Sequence, residues 1–570
     1  MKILLFNPIT RGRKLSKDRA DVNIGYPLGI GYVGAYLESQ GHDVEIFDNN
    51  QKCYQKSDLV RYFKNSDAEI IGISSMVSDY NQVMQICRLM KETINVPIIL
   101  GGPMATYSPE TVLRNMDIDI CVLGEGEETA NDLFSSWPNY KNVPGIAYIN
   151  NNDKFVNTPP RVFQKTRDDY PYPGYDSLLD ITKYWRKALP TWELLDNYKD
   201  MTLLNSNHPK YVNRKPDFKI ATMLTGMGCP YKCTFCTNST IFMKTRVRTP
   251  ENVVAEAMHL KEKHGISGIR FEDDLLILYK ERTLELAREL KKTDLLWAGQ
   301  SVGRATADEE VVSALADSGC VGFGIGIESG SDKLLKAMMK GSRSKDYKDA
   351  YYNAIKYKVG IRVQLLYGSP GESRETLQET IDFFKETGLP PRRLNRLWPM
   401  PGSGVYDQCL EQGIIYDEHA YLNMTSTLGG YTSRNLTFNI TEMSDEEYNS
   451  NLIWIESELY NNYDKIVKKR KGYFLNTILH HYIPTMGRYL IKIVKVTPVL
   501  RKLKQMIITR NYFLWNKLKQ SKKTERQRTN YLDYITIYPE MNPDSTVDDL
   551  GFKNSTLKDK RIDKIFQKVA

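Results

Sequence analysis

The sequence has few cysteines and no long apolar run, and these absences exclude several classes of protein. Eight cysteines in 570 residues are too sparse for a disulfide scaffold. No stretch of about 18 uninterrupted apolar residues occurs. The first ten residues, MKILLFNPIT, show no basic leader and no small-residue cleavage site. The sequence therefore predicts a cytoplasmic, non-spanning protein of two or three domains.

Acidic residues are nearly missing from one C-terminal segment. Residues 466–530 hold 17 Lys and Arg against one acid, Glu525, a net of +16, so the other residues sum to 9 − 16 = −7. Apolar residues such as Phe474 and Leu475 recur there at helical spacing, which is typical of a helix on an anionic membrane. A helix packed on the protein with a solvated basic side is the alternative. Nucleic-acid binding is disfavoured, because the charge is confined to this tail.

The first 150 residues alternate short β-branched runs with helical patterns. Buried parallel strands are predicted at 2–6, 43–47, 69–74, 96–100 and 118–123. Crossover helices are predicted at 29–40, 58–63, 78–91 and 109–115. This pattern predicts an α/β fold with a doubly wound, Rossmann-like sheet, which binds ligands at the carboxyl ends of its strands. Small residues follow three of those ends, at Ser74-Ser75, Gly101-Gly102 and Gly124-Glu125-Gly126.

A second α/β domain is predicted at 216–405, after a linker at 151–215 that is poor in apolar periodicity. Its strands are predicted at 220–224, 268–271, 295–298, 321–327, 361–366 and 394–398. Strands that alternate with helices predict a partial (β/α)6 barrel of the TIM type, with its site at the carboxyl ends of the strands. Residues 406–570 are predicted to be mainly helical and to end in the basic tail.

Three of the eight cysteines, Cys229, Cys233 and Cys236, fall within eight positions after the first strand of this barrel. Thiolates are soft ligands that favour iron–sulfur clusters and zinc. A structural zinc site needs a fourth ligand at short spacing, and the nearest downstream histidines, His259 and His264, lie in a predicted helix and at its end. Three ligands suit a cubane cluster with one open iron.

The motif Cys229-Pro-Tyr-Lys-Cys233-Thr-Phe-Cys236, with an aromatic residue before the last cysteine, resembles the radical S-adenosylmethionine superfamily. The resemblance implies that the three thiolates hold a [4Fe-4S] cluster and that Phe235 lies beside bound S-adenosylmethionine. It also implies an external one-electron reductant, of the flavodoxin or ferredoxin type, and reductive cleavage to a 5′-deoxyadenosyl radical.

Other segments match the positions at which that family binds S-adenosylmethionine. The resemblance implies that Glu272, Asp273 and Asp274, after the second barrel strand, bind the methionyl amine. Arg304, beyond the third strand, would reach the methionyl carboxylate, and Glu328 and Ser329, after the fourth, would bind ribose and methionyl groups. A helix cap is the alternative for the acidic run, and a surface position is the alternative for Arg304.

The N-terminal domain resembles the B12-binding domain of cobalamin-dependent radical enzymes. The resemblance implies that cobalamin contacts seven residues at the strand ends: Ser74, Ser75, Gly101, Gly102, Gly124, Glu125 and Gly126. No DxHxxG motif is present, and His42 is the only histidine before residue 208. We therefore expect cobalamin without a lower histidine ligand. A member that kept the domain and lost the cofactor is the alternative.

Three functions follow from this resemblance. The first is a cobalamin-dependent methyltransferase acting on an unactivated carbon or on phosphorus, with a small-molecule or lipid substrate. The second is a radical cyclase or oxidoreductase of the same architecture, and the third is a non-catalytic cobalamin or redox sensor. Intact cluster cysteines argue against the sensor, and the basic tail favours a lipid substrate and peripheral contact with the inner membrane face.

Overall fold

The computed structural model describes residues 1–9, 25–163, 166–185, 219–239, 245–389, 394–428 and 439–468. The predicted basic tail lies almost wholly beyond residue 468, outside the described residues. Among the helices of the described part, none combines the length and the apolar character that crossing a bilayer requires.

A seven-stranded sheet forms the N-terminal part, in the order β2-β1-β3-β4-β5-β6-β7. Its strands are β1 (Lys2–Asn7), β2 (Asp43–Asp48), β3 (Ile70–Ser74), β4 (Ile98–Gly101), β5 (Ile120–Val122), β6 (Ile146–Ile149) and β7 (Phe155–Asn157). The first five strands pair in parallel, which confirms the predicted doubly wound sheet. Their apolar residues are mostly buried, as at Ile70–Ser74, because helices cover both faces, whereas the first half of the edge strand β2 is partly exposed.

The helices of this part connect the parallel strands. They are α1 (Leu28–Ser39), α2 (Asn49–Lys52), α3 (Lys56–Lys64), α4 (Tyr80–Thr93), α5 (Pro103–Tyr107), α6 (Pro109–Asn115) and α7 (Glu127–Ser135). The chain then reverses, since β6 pairs with β5 and β7 pairs with β6 in antiparallel fashion. This hairpin crosses residue 150, so the sheet extends into the segment predicted as a linker.

A second sheet of six parallel strands has the order β15-β14-β13-β12-β11-β8, as a partial barrel requires. Its strands are β8 (Ile220–Met223), β11 (Gly268–Phe271), β12 (Leu296–Ser301), β13 (Cys320–Glu328), β14 (Gly360–Tyr367) and β15 (Leu394–Arg396). A short antiparallel ribbon joins β9 (Gly226–Met227) to β10 (Arg246–Val247). The strand order confirms the predicted barrel fold.

Helices follow the barrel strands and continue after the last one. They are α8 (Pro250–His264), α9 (Lys280–Thr293), α10 (Gly303–Thr306), α11 (Glu309–Asp317), α12 (Asp332–Ala337), α13 (Ser344–Lys356), α14 (Arg374–Thr387), α15 (Gly404–Glu411), α16 (Glu418–Leu428) and α17 (Asp445–Lys468). Local signals set their ends. In α8, the Asn252 amide donates to the Thr249 hydroxyl at the N-cap, and Gly265 ends the helix with φ +67°.

The hydrophobic cores of the two parts are joined across their boundary. Tyr26, Leu28 and Tyr32, at the start of α1, belong to the core of the barrel. Trp398 and Tyr421, which follow the barrel, belong to the core on one face of the N-terminal sheet. Shared cores of this kind fix how the carboxyl ends of the two sheets are oriented toward each other.

Candidate active site

The three cysteines lie in residues 228–239, the cysteine loop, which follows β9 and the carboxyl end of β8. The Cys236 amide donates a hydrogen bond of 3.0 Å to the Cys233 carbonyl oxygen, which tightens the loop. Burial raises the pKa of all three thiols, to about 11 for Cys233, and their charges interact with one another. Such thiols stay protonated at neutral pH until a metal replaces the proton, so this donor set fits an iron–sulfur cluster better than a free nucleophile.

A buried ion pair, which no motif indicated, lies beside the cysteine loop. Lys340 Nζ is 3.0 Å from Glu328 Oε1 and 5.6 Å from the centre of the Phe235 ring. Burial opposes the charge of Lys340, but Glu328 raises the pKa of this lysine above its ordinary value overall. Burial raises the pKa of all three thiols, and the Lys340 cation offsets part of that rise. Lys340 therefore favours thiolates in this loop.

Glu328 owes its position to a strained backbone. It has φ +63°, at a register shift of β13 against β14. Its carboxylate folds over Gly326, where an added Cβ would lie 2.1 Å from Glu328 Oε1. A left-handed glutamate persists only where the surrounding structure holds it, and such strain is concentrated at functional sites.

The three acids predicted to bind the methionyl amine point in different directions. Glu272 pairs with Arg270 at 2.9 Å. Asp273 accepts hydrogen bonds from the Thr225 amide and hydroxyl, and burial raises its pKa to about 6. Asp274 accepts hydrogen bonds from the Asn238 side chain and from the Gly228 amide, and burial raises its pKa. Of the three, Asp274 is the acid that contacts the cysteine loop.

Arg304 and Ser329 have different surroundings from each other. The Arg304 charge acts on Tyr231 of the cysteine loop, where it partly offsets the rise in pKa that burial causes. Ser329 is 1% exposed, and its hydroxyl lies 3.0 Å from the Thr380 hydroxyl of α14. Arg304 thus lies near the loop, whereas the Ser329 side chain is held within the protein.

The small residues at the carboxyl edge of the N-terminal sheet form a cradle. Gly102 has φ +86°, and an added Cβ there would lie 2.9 Å from the Ser75 carbonyl oxygen. Gly124 has φ +75° and open space where its Cβ would be. The Ser75 hydroxyl is buried without a hydrogen-bond partner among the described residues. The close packing at Gly102 holds the two strand ends together, and the open space at Gly124 and the orphaned Ser75 hydroxyl fit a bound ligand at this edge.

The remaining predicted cobalamin residues are placed as follows. Ser74 and Gly101 end β3 and β4 and pair with each other across the sheet. A Cβ at Gly126 would lie 3.2 Å from Val33 Cγ2 of α1. The Glu125 carboxylate lies 3.0 Å from Arg167 Nη1 and also contacts Arg246 of β10. Glu125 therefore joins the N-terminal sheet to the barrel through buried ion pairs.

A chain of side chains links the two sheet edges directly. The Tyr107 hydroxyl, at the end of α5, donates to Asn238 Oδ1 at 3.4 Å, and Asn238 donates to Asp274. The Tyr107 ring lies on Gly402, where an added Cβ would be 2.2 Å from the ring. Burial raises the pKa of Tyr107 to about 12, so its hydroxyl stays a donor. Neither Tyr107 nor Asn238 belongs to a motif that marks it in the sequence.

Two histidines of the described part contact the N-terminal sheet region. His42 lies at the amino end of β2, away from the glycine edge, 3.3 Å from Asn131 Oδ1. His419 comes from α16, and its Nδ1 lies 2.7 Å from the Tyr80 hydroxyl at the start of α4. Burial lowers the pKa of His419. His419 lies in the helical region after the barrel, so no motif of the N-terminal domain indicates it.

Comparisons with known proteins identify both halves. A family model described as the Radical SAM superfamily matches residues 223–384, and one described as the B12 binding domain matches residues 21–134. The solved structure of the radical S-adenosylmethionine methyltransferase TsrM from Kitasatospora setae, with cobalamin and a [4Fe-4S] cluster bound, has a TM-score of 0.56 at 19% identity. It covers 73% of this chain and 75% of that chain, and it shares the fold.

Curated relatives include two methyltransferases and a cyclase. An uncharacterized methyltransferase of Pyrococcus horikoshii is 29% identical over 423 residues, 73% of this chain and 84% of that protein. The cytidylyl-2-hydroxyethylphosphonate methyltransferase of Streptomyces wedmorensis is 27% identical, over 75% of this chain and 85% of that protein. The anaerobic magnesium-protoporphyrin IX monomethyl ester cyclase of Rubrivivax gelatinosus is 23% identical, over 69% of this chain and 68% of that protein.

Proposed function

Because this chain belongs to the radical S-adenosylmethionine enzymes that carry a B12-binding domain, we propose that it is a cobalamin-dependent methyltransferase. Its substrate would be a small molecule or lipid with an unactivated carbon. The connection from Tyr107 through Asn238 to Asp274 supports this best, since it brings the glycine edge of the N-terminal sheet against the cysteine loop. Methyl transfer between two cofactors requires that proximity.

The residues present fit both cofactors. Cys229, Cys233 and Cys236 would hold a [4Fe-4S] cluster, and the Ser75 and Gly102 edge would hold cobalamin. Asp274 and Glu328 would bind S-adenosylmethionine. When bound, these groups supply one-electron cleavage of S-adenosylmethionine and a carrier for a methyl group, which side chains cannot supply.

The side chains around the cysteine loop would orient the substrate complex. Asp274 offers a carboxylate acceptor for an ammonium group, and Lys340 offers a cation for a carboxylate. Lys340 already neutralises Glu328, so the pair can exchange partners with a zwitterionic ligand without leaving a net buried charge. The N-terminal sheet, held over the barrel by shared cores, would exclude water from the reacting atoms.

Anaerobic reconstitution with iron, sulfide, S-adenosylmethionine, hydroxocobalamin and a chemical reductant tests this proposal. We expect 5′-deoxyadenosine, and S-adenosylhomocysteine stoichiometric with bound corrinoid, both measured by mass spectrometry. The likeness to the Rubrivivax gelatinosus cyclase favours a second candidate, radical cyclisation or oxidation. In that case 5′-deoxyadenosine forms without S-adenosylhomocysteine. The absence of both products would contradict both candidate functions.

The expectation that no histidine of the protein binds the cobalt of cobalamin can be tested separately. We expect no nitrogen splitting from the protein in the electron paramagnetic resonance spectrum of the cob(II)alamin form. Nitrogen splitting that disappears in His419→Gln would contradict this expectation and identify His419 of the helical region as the ligand.

The partners follow from the same proposal. Radical S-adenosylmethionine enzymes need an external reductant and a small-molecule substrate, and we infer a one-electron carrier of the flavodoxin or ferredoxin type. The charge of +16 in residues 466–530 supports a cytoplasmic enzyme with peripheral contact to the inner membrane face.

A further inference from the structure

Two histidines and an aspartate converge on the barrel, away from the cysteine loop. His259 Nε2 lies 2.9 Å from Asp176 Oδ2, and His264 Nε2 lies 2.8 Å from Asp176 Oδ1. The ligand atoms of the three side chains all lie within 4.8 Å of one another. We propose that Asp176, His259 and His264 bind one divalent transition-metal ion, for which zinc is the probe.

The ligand types and spacing suit such an ion. Imidazole nitrogens and a carboxylate oxygen favour zinc, copper or nickel over magnesium or calcium. A tetrahedral zinc ion with bonds of roughly 2.1 Å keeps its ligand atoms about 3.4 Å apart. The two hydrogen-bonded separations, 2.9 and 2.8 Å, are shorter than this, so side-chain rotations that widen them would admit an ion, and water would complete its shell.

The surroundings provide both walls and an entry path. Tyr172 lies 6.2 Å from His259, and Trp185 lies 5.9 Å from His264, as measured between ring centres. The His264 side chain is 14% exposed, whereas Asp176 and His259 are 31% and 36% exposed. An open hollow lined by Glu38, Asp176 and His259 among others leads from solvent to two of the three ligands.

The site joins three parts of the chain. His259 and His264 lie on the last turns of α8, and Asp176 lies in the segment before the barrel. The same segment contacts α1 of the N-terminal part, because the Ser177 hydroxyl donates to Glu38 Oε2 at 2.8 Å. A metal ion here would fasten the N-terminal sheet to the barrel.

The position in the barrel separates this ion from the proposed reaction. Helix α8 runs back from the carboxyl end of β8, so its last residue, His264, lies at the amino ends of the strands. The cysteine loop lies at the opposite, carboxyl ends. Groups at the amino-end face of such barrels serve stability, so this inference does not rest on the proposed function.

Lys263 makes the inference sharply testable. Its Nζ lies 2.9 Å from Asp176 Oδ2 and would compete with a metal ion for that carboxylate. If Asp176 serves only as a counter-charge for α8, no ion binds. If the site holds zinc, Lys263→Met should tighten zinc binding, because the competing cation is gone.

The experiment is calorimetric titration of Zn²⁺ into the full-length, cluster-loaded protein, in which the cluster occupies the cysteines. We expect one saturable zinc site, weakened more than about tenfold in His259→Ala/His264→Ala and tightened in Lys263→Met. His480→Ala/His481→Ala, which removes an adjacent histidine pair, should bind like the natural chain. His259→Gln, at a partly exposed position, provides a single-site variant should the double variant fail to fold.

Zinc-edge X-ray absorption identifies the ligands. We expect nitrogen and oxygen scatterers near 2.0–2.2 Å and no sulfur near 2.3 Å. Sulfur coordination, no saturable site, or equal affinity in the natural chain and the His259 and His264 variants would each overturn the proposal.

Discussion

The Tyr107 hydroxyl of the N-terminal sheet region donates a hydrogen bond to Asn238 Oδ1 of the cysteine loop, 3.4 Å away. Asn238 donates in turn to Asp274, so one chain of hydrogen bonds connects α5 to the end of β11. The two edges that we propose to hold cobalamin and S-adenosylmethionine are therefore adjacent, and substitutions on each side give separable predictions.

Replacing Cys229, Cys233 and Cys236 together by alanine should abolish bound iron, because no other cluster of cysteines exists in the sequence. Iron per chain and visible absorbance measure the loss after reconstitution. Cys53→Ala is the matched control, since Cys53 is a partly buried free cysteine outside the loop. Unchanged iron in the triple variant would show that these thiols hold no cluster.

Asp274→Asn should weaken S-adenosylmethionine binding, whereas Glu272→Gln should leave it nearly unchanged. The reason is that Asp274 contacts the cysteine loop and Glu272 is turned toward Arg270. Equilibrium dialysis of the cluster-loaded protein measures both affinities. Equal losses in the two variants would contradict the separate directions of these carboxylates.

Glu328→Ala should weaken S-adenosylmethionine binding by roughly 1–3 kcal/mol, the usual cost of leaving buried polar partners unpaired. The substitution leaves Lys340 without its partner at 3.0 Å. Comparison with Lys340→Met and with the double variant shows whether the two side chains act as a unit. Unaltered affinity in Glu328→Ala would remove Glu328 from the site.

Gly102→Ala should lose bound cobalamin, because the added Cβ would lie 2.9 Å from the Ser75 carbonyl oxygen and would displace the strand end that carries Ser75 in the proposed cradle. Gly41→Ala is the control, since Gly41 also has a left-handed backbone, with φ +87°, but has open space around it and lies away from this edge. Corrinoid retained after gel filtration measures both. Similar retention in the two variants would argue against a cradle at Gly102.

The stability of the protein should fall as pH rises toward 8, and Glu372 should cause part of this fall. Glu372 is buried in the loop between β14 and α14, and burial raises its pKa from 4.5 to about 8, so the folded state holds its proton more tightly than the unfolded state does. The resulting stability is complete below about pH 4.5 and is lost as pH passes the folded-state pKa. Glu372→Gln should flatten urea midpoints between about pH 6.5 and 8, above the pKa of about 6 at Asp273. Parallel pH profiles of variant and natural chain would contradict this assignment.

The basic tail stays a prediction, because residues 469–570 lie outside the described part of the chain. We expect the full chain to sediment with anionic vesicles at low salt and to be released as salt screens the charges. A chain ending at residue 468 should not sediment. A tail that packs on the protein instead would give aggregation of the shortened chain and negligible vesicle binding throughout.

Much of the fold could be predicted because several buried parallel strands are rich in β-branched residues, as at Ile70–Ser74 and Ile98–Gly101. The hairpin of β6 and β7 was not predicted because β7 is partly exposed and no crossover helix separates the two antiparallel strands. The alternation of buried strands with helices, which identified the parallel strands, is therefore missing here.

The site was less predictable than the fold. Strand alternation turns Asp273 away from Glu272, whereas Asp274 lies beyond the end of β11 at Phe271, where the loop backbone and not the strand period sets its direction. Lys340 contacts Phe235 and Glu328 only because residues 338–341 pack on the cysteine loop, with the Thr234 amide donating to the Met338 carbonyl oxygen at 3.1 Å. No spacing rule in the sequence anticipates a contact between distant loops.

The shared cores have a consequence for engineering by domain exchange. Trp398, Tyr406 and Tyr421 follow the barrel in the chain but complete the apolar face of the N-terminal sheet. A chimera cut near residue 150 would thus separate that face from three aromatic side chains that bury it. Grafting the N-terminal sheet onto a related barrel therefore requires that residues 397–428 be transferred together with it. Recombination must exchange these two separate segments of the chain at once.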